Sequence, residues 1–357
     1  MQPLKHHQEL NGDYKYSEWY YGPQKRTLIS SLINVSKKKW FSDKSKFLVA
    51  YQKIGESRHY RKFQEFSKTN QIESLNVFSI NNDYFKNYSN NSSLAYGFEF
   101  TLNRVSSKAY LQNYKLSISG LTESDQFYNI PTRYPSDEGH YSTAAIYYEY
   151  RKDISKKSNV NIGMRFTDTK LRAKWNDENI INANISNVHA QNSSITSSFG
   201  YVFRSQKNWK ISGNFSSGFR SPNIDDIGKI REQKGVLSVP NSSLKPEYAY
   251  NTEIGLSKFS INKQNAFSVN AYYTHISKHI TRDYFEINQD TSTSDPSTII
   301  FNSEEVVTMA NVNKGNAYIY GATFGFKLSK SNFWGFKGNI TYTQGGSVDS
   351  DHPLPSI

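Results

Sequence analysis

Apolar and polar residues alternate with a period of two over much of the chain. From Val160 to Phe166 each apolar residue is followed by a polar residue or glycine, and the same pattern covers residues 94–103, 209–220, 318–328 and 334–343. Successive side chains of a β-strand point to opposite faces, so this period predicts strands with one apolar and one polar face. No segment shows the 3.6-residue apolar stripe of an amphipathic helix, and the chain is therefore predicted to be all-β.

The pattern predicts about twelve strands of roughly 10–14 residues each. This is longer than the usual strand of a globular sheet and close to the ~9–11 residues with which a tilted strand crosses a bilayer. The predicted strands are residues 25–38, 44–56, 72–86, 92–104, 141–151, 158–174, 193–204, 208–220, 247–260, 265–276, 316–328 and 334–345.

The connections between these strands alternate between short and long. The short connections are residues 39–43, 87–91, 152–157, 205–207, 261–264 and 329–333. The long connections are residues 57–71, 105–140, 175–192, 221–246 and 277–315. Short turns at one end and long loops at the other are typical of outer-membrane barrels. We therefore predict an antiparallel transmembrane β-barrel with short periplasmic turns, long extracellular loops, a lipid-facing apolar surface and a polar lumen.

Composition agrees with this fold and excludes others. The chain of 357 residues has 15% aromatic residues, and disordered chains are poor in them. No apolar run of about 18 residues exists, which excludes a helical membrane bundle. Cysteine is absent, so disulfides, thiolate metal sites and cysteine nucleophiles are excluded. Aromatic residues beside the short turns are expected to form a periplasmic girdle; they are Trp40, Phe41, Trp209, Phe333 and Trp334.

Two motifs flank the long connection 221–246. The first reads SGFRSPNIDDIGK at 217–229, and the second reads VPNSSLKPEYAYNTEIG at 239–255. Pro222 and Pro246 cannot donate to a strand ladder, so each marks the point where pairing stops. The two motifs are therefore expected to fix the exits of two adjacent strands and the root of one loop.

This pair of motifs resembles the "FRAP" and "NPNL" boxes of the TonB-dependent outer-membrane receptors, and the closest resemblance is to the Bacteroidetes type. The first box is matched by Phe219, Arg220, Pro222 and Asn223, with Ser221 where alanine is usual. The second is matched by Asn241, Leu244, Lys245, Pro246 and Glu247, whereas Ser242 and Ser243 depart from it. These residues are expected either to hold the loop root or to lie close to a ligand.

The resemblance implies a fragment of a larger receptor. Members of the family have a signal peptide, a plug domain and a barrel of about 22 strands. The N-terminus has no apolar signal sequence, and twelve strands with open edges would leave backbone groups unpaired in lipid. We therefore expect residues 1–357 to be the central part of such a barrel, lacking the plug and the C-terminal strands.

The function that the resemblance implies is active uptake across the Gram-negative outer membrane. The nutrient would be a ferric siderophore, haem, cobalamin or a glycan. The expected partners are outer-membrane lipid, lipopolysaccharide, the small-molecule or glycan ligand, and the TonB complex acting through the missing plug; no cofactor is expected. Haem receptors of this family carry a histidine between the two boxes, and residues 224–239 contain none, which counts against haem.

Two other classes of function stay open. A passive porin would share the barrel but would have no plug. A soluble β-rich binding module or adhesin would not need an apolar face on every strand. An enzyme is not expected, because the chain shows no Ser/His/Asp arrangement, zinc motif or glycine-rich phosphate loop. His275 and His279 would be about 13 Å apart along a strand, so no metal site is predicted.

The densest group of basic residues is Arg58, His59, Arg61 and Lys62. It is predicted to lie in an extracellular loop, where it could attract an anionic ligand such as a ferric siderophore, or lipopolysaccharide phosphates. A solvated loop with no ligand is the alternative. The net charge of +12 also suggests a nucleic-acid partner. No stacking platform or nucleic-acid motif accompanies the patch, so no nucleic-acid binding is predicted.

Overall fold

The protein is almost entirely β-strand in the computed structural model. The strands are β1 (Tyr16–Tyr21), β2 (Lys25–Ser36), β3 (Lys44–Lys62), β4 (Ser67–Tyr88), β5 (Ser92–Ser117), β6 (Gly120–Asn129), β7 (Glu138–Ser155), β8 (Ser158–Lys174), β9 (Asn187–Arg204), β10 (Trp209–Arg220), β11 (Arg231–Gln233), β12 (Val236–Ser238), β13 (Glu247–Phe259), β14 (Ala266–Ser277), β15 (Ile280–Tyr284), β16 (Thr298–Phe301), β17 (Glu304–Asn313), β18 (Asn316–Ser329) and β19 (Gly335–Ser347). The short helix α1 (Ile224–Ile227) lies between β10 and β11.

The structure describes most of the chain. The described residues are 15–88, 91–118, 120–175, 187–227, 230–233, 235–262, 264–286, 295, 297–301, 304–329 and 334–348. Within these residues no helix is both long enough and apolar enough to cross a membrane.

A 14-stranded antiparallel sheet forms the body of the protein. Twelve of its strands follow one another along a single path in the order β1-β3-β4-β5-β7-β8-β9-β10-β13-β14-β18-β19. Off this path, β6 pairs with β5. Strands β1 and β2 pair with the two ends of the same edge of β3, β1 with residues 58–62 and β2 with residues 44–55. The twelve predicted strands are thus confirmed. The predicted strand 25–38 is β2, and β1 precedes it on the same edge of the sheet after an interruption at Gly22 and Pro23. In the described residues β2 and β19 each pair on one side only, so the barrel is not closed.

Apolar side chains form continuous ladders on one face of this sheet. Ile211, Leu256, Val269, Phe324 and Ile340 are successive register partners across β10, β13, β14, β18 and β19. All five are exposed, by 41% to 70%. Soluble monomers rarely expose contiguous apolar surface on this scale, whereas a lipid-facing apolar band is what an outer-membrane barrel requires.

The opposite face carries polar side chains that bond across the strands. The Arg165 guanidinium donates to the Glu99 carboxylate, and the Tyr147 hydroxyl donates to Asp83. Farther along the same face, Thr323 and Thr341 lie within hydrogen-bond distance, at 3.0 Å. The predicted division into one apolar and one polar face is therefore confirmed.

The described aromatic residues of the predicted girdle lie at the short-turn end of the sheet. Trp40 is 91% exposed and contacts Phe41 edge to face at 5.4 Å. Trp209 begins β10, and Trp334 precedes β19. Phe333 lies outside the described residues.

The predicted long loop at 57–71 is wrong. β3 continues to Lys62 and β4 starts at Ser67, so the connection is the tight turn 63–66, with Gln64 at a φ of 65°. Similarly, β5 continues to Ser117 and forms a hairpin with β6. The period-two signal is weak in these segments because polar and charged residues lie on both faces of the extended strands.

Two of the long connections fold together into a second sheet of five strands, β11, β12, β15, β16 and β17. We call this sheet and α1 the cap. Its strand β12 pairs in parallel with β17, which joins the connection 221–246 to the connection 277–315. The cap contributes most of the buried apolar core, together with the ends of β8 and β9. This core comprises Leu171, Ala173, Trp175, Val188, Ile224, Ile227, Ile230, Leu237, Val239, Leu244, Ile280, Ile299, Val306 and Ala310.

Candidate functional site

The two sequence motifs meet at the root of the cap. β10 ends at Arg220 and β13 begins at Glu247, and these two residues are the last register pair of the two strands. One residue inward, Phe219 pairs with Tyr248, and their rings stack with centroids 6.2 Å apart. The motifs therefore lie at the exits of two neighbouring strands.

The first motif builds the start of α1. Asn223 Oδ1 accepts hydrogen bonds from the backbone N–H groups of Asp225 (2.8 Å) and Asp226 (3.1 Å). In return, Asp226 Oδ2 accepts from the Asn223 N–H at 3.1 Å, which is the reciprocal arrangement of a capping box. The Arg220 guanidinium binds the same Asp226 carboxylate, and Pro222 is fully buried beside it. The motif thus ties the end of β10 to the cap.

The second motif is tied to β17. Asn241 Nδ2 donates to the backbone carbonyl of Asn311 at 2.8 Å, while Asn311 Nδ2 donates to the Asp226 carbonyl at 3.1 Å. Asn311 therefore bridges the two motifs. Leu244 is buried in the cap core, and the half-buried Pro246 precedes β13.

Glu247 and Asn313 complete the root. Glu247 Oε2 accepts from the Ile280 N–H at 2.7 Å and from His279 Nδ1 at 2.9 Å. Asn313 binds Lys245 in both directions, accepting from its N–H at 2.7 Å and donating to its carbonyl at 2.9 Å. The sequence alone does not point to Asn311 and Asn313, since they lie about 70 residues from the motif they hold and only the fold brings them close.

The basic patch lies in β3 rather than in a loop, and carboxylates compensate much of its charge. Arg58 pairs with Glu56 at 3.0 Å, and Lys62 pairs with Glu65 at 3.3 Å. Arg61 pairs with Glu18, also at 3.0 Å. The binding of an anionic ligand here stays a prediction.

His59 of the same patch is held in place by its neighbours. Its ring nitrogens lie 2.7 Å from Asn70 Oδ1 and 2.9 Å from Ser57 Oγ, and the ring stacks on Tyr20. Among the described residues no three histidine or carboxylate side chains converge to hold a metal ion.

A cavity of about 510 Å³ lies between the polar face of the sheet and the cap. Strands β3, β4, β5 and β7 form its wall, and the first motif closes it through Asn223, Ile224 and Asp225. The Tyr134 hydroxyl donates to Asp225 Oδ1 at 2.9 Å. Burial and then this hydrogen bond raise the pKa of Tyr134 above its ordinary value, so the phenol stays a hydrogen-bond donor.

An acidic side chain is buried in the cavity wall. Glu73 of β4 is 6% exposed, and neither of its carboxylate oxygens has a hydrogen-bond partner among the described residues. Its register partner is a second carboxylate, Glu56 of β3. The sequence alone does not point to Glu73, because nothing in the local pattern of β4 shows that the cap covers it.

The sheet, with its exposed apolar face, polar inner face and cap at one end, defines a protein of the outer-membrane barrel class. Residues 6–357 match the family model described as TonB dependent receptor-like, beta-barrel. The chain belongs to this family, which consists of transport receptors of the Gram-negative outer membrane.

Solved structures of the same class resemble the chain at low sequence identity. The copper transporter OprC matches with a TM-score of 0.68 and 12% identity over 96% of this chain and 50% of its own. The hemophore receptor HasR of Serratia marcescens, solved as a double mutant with its hemophore HasA and heme, matches with a TM-score of 0.64 and 12% identity over 92% of this chain and 49% of its own. The siderophore receptor PirA of Acinetobacter baumannii has a TM-score of 0.61 and 15% identity over 92% of this chain and 45% of its own.

The chain thus spans about half the length of the solved structures it resembles. At this identity the likeness shows the fold and not the ligand. No match was found among the curated proteins.

Proposed function

We propose that the chain is the central part of the barrel of an outer-membrane receptor for TonB-coupled uptake of a scarce nutrient. The observation that carries the proposal is the root of the cap, where both family motifs are joined through Asn311 to one hydrogen-bond network. A passive pore needs no such network, because an open lumen has no folded cap to position over it.

The cap and the apolar band suggest the partners. The band formed by the outward ladders would contact outer-membrane lipid, with lipopolysaccharide at its outer edge. The ligand would bind from the cap side of the lumen. The TonB complex would act from the periplasm on a plug domain.

The nutrient class is the open part of the proposal. The similar solved structures are named as a copper transporter, a hemophore receptor and a siderophore receptor, which supports a metal or its carrier. A ferric siderophore fits the proposal better than haem, because residues 224–239 contain no histidine. Cobalamin and a glycan complete the set of nutrients to be tested.

A growth assay with one limiting nutrient at a time tests this function. A deletion strain is complemented with the complete receptor, either wild type or carrying Arg220→Ala, which removes the ion pair to Asp226 at the root of the cap. We expect one nutrient to restore growth only with the wild-type receptor. Equal growth with and without the receptor gene on every limiting nutrient would contradict the proposal.

A further inference from the structure

The carboxylate of Glu73 occupies an unusual position. Buried polar groups are nearly always hydrogen-bonded, and an ionised carboxylate without a partner is among the most costly groups to bury. Glu73 is nonetheless 6% exposed, with both oxygens unpaired among the described residues. Protonation of the carboxyl or a hydrogen-bond donor from outside the described contacts would relieve this cost, and a cationic donor would do so most strongly.

Three carboxylates and one guanidinium lie around the cavity. Glu56 lies directly opposite Glu73 on β3, and like charges in this position repel. Arg58 neutralises Glu56 through its contact at 3.0 Å, but it makes no hydrogen bond to Glu73. On the cap side the cavity is lined by a third carboxylate, Asp225, which accepts from Tyr134. A positively charged group is the donor that this arrangement favours.

The rest of the cavity is largely apolar. Ile54, Leu75, Val105 and Ile224 line it, together with the ring of Tyr141. Its volume of about 510 Å³ lies within the range of small-molecule sites. A ligand that matches both parts has a compact apolar body and one cationic head.

We propose that this cavity binds a small amphipathic organic cation, with its ammonium or amidinium group on Glu73 and its apolar body against Ile54, Leu75 and Ile224. The ligand bridges the sheet wall and the cap, because β3 and β4 supply one side of the site and α1 supplies the other. The inference goes beyond the proposed function and rests on it only for the entry of the ligand from the cap side.

Calorimetric titration of the complete, purified receptor with 2-phenylethylammonium tests the site. The assay uses no energised membrane, so a failure of binding and a failure of uptake are separate results. We expect the cation to bind in the millimolar range or tighter. The neutral isostere 2-phenylethanol should bind at least about tenfold more weakly, since it forms no charge-assisted hydrogen bond.

Two charge variants locate the binding. Glu73→Gln keeps the shape of the side chain and should weaken binding of the cation by about tenfold or more. The matched control is Glu149→Gln, which removes an exposed carboxylate of the same sheet face that accepts a hydrogen bond from Asn161 Nδ2 at 2.9 Å. This control should bind the cation as the wild type does. Heat-modifiable migration of each variant on a gel verifies that the barrel is folded.

A third variant keeps the test decisive if Glu73→Gln does not fold. Ile54→Trp fills part of the apolar half of the cavity from β3 and leaves every carboxylate in place. It should weaken the binding of the cation and of the alcohol alike. The proposal is wrong if wild-type receptor binds no cation up to about 10 mM. It is also wrong if 2-phenylethanol binds as well as the cation, or if folded Glu73→Gln and Ile54→Trp bind the cation like the wild type.

Discussion

Asn313 offers the sharpest test of how the cap is held at its root. Its side chain makes three hydrogen bonds, two with the backbone of Lys245 at 2.7 and 2.9 Å and one to the carbonyl of Lys278 at 2.9 Å. The substitution Asn313→Ala removes all three and leaves the strand pairing of β17 intact. It should therefore loosen the junction between the cap and strands β13 and β14.

The size of the effect follows from these bonds. A hydrogen bond contributes about 0.5–1.5 kcal/mol net, and the half-buried position of this side chain lets water replace part of it. We therefore expect about 2 kcal/mol less resistance to local opening, which is a factor of about 30 in the opening equilibrium.

Hydrogen exchange followed by mass spectrometry measures this opening in the complete receptor in detergent. Peptides covering residues 235–246 should exchange about 30-fold faster in Asn313→Ala, while peptides from β8 stay unchanged. The matched control is Asn262→Ala, because the hydrogen bonds of Asn262 stay within the short turn 260–265 at the other end of the sheet. The assignment of the root would be refuted if peptides 235–246 exchanged at the wild-type rate in Asn313→Ala. It would also be refuted if Asn262→Ala accelerated their exchange equally.

Three further predictions concern the sheet and its orientation. Spin labels on cysteines replacing Phe324 and Thr323 should differ: the first should be accessible to oxygen and the second to a polar nickel reagent, and equal behaviour would show that the faces are misassigned. Gly321→Ala should lower the fraction of receptor that migrates as a heat-modifiable barrel, because a Cβ there would lie 2.6 Å from Tyr272 Oη and closer still to the Tyr342 carbonyl. The control Gly213→Ala should fold normally, since nothing lies within 4 Å of its added Cβ; equal folding of the two variants would argue against this packing. An epitope inserted at Asp295 should be reached by antibody on intact cells and one inserted at Asn262 should not, and equal labelling would contradict the topology.

The strands that carry an apolar face could be predicted from sequence alone. In β8, for example, Ile162, Met164 and Phe166 are all exposed apolar residues of one face, and the prediction for this strand matches its bounds, Ser158–Lys174. The signal is strong here because lipid contact requires apolar side chains at every second position. Beyond this band the requirement ends, and the predicted ends of β3, β4 and β5 therefore fall short of the observed ones.

The cap could not be predicted, since its contacts depend on segments distant in sequence. Leu237 is fully buried, yet β12 is only three residues long and pairs in parallel with β17. Three residues are too few for a period to be recognised. The motifs at 217–229 and 239–255 could be recognised in the sequence, because prolines and capping residues act within their own neighbourhood. The buried Glu73 required the cap and the sheet together.

The most direct test of the central claim is the dependence of uptake on energy. Once the growth assay has identified the nutrient, its initial rate of uptake is measured in cells that produce the complete receptor, with and without a functional TonB complex. The account predicts that uptake falls to the level of cells lacking the receptor when the TonB complex is absent, whereas binding to the cell surface persists. Undiminished uptake without the TonB complex would contradict the account and would establish a passive channel.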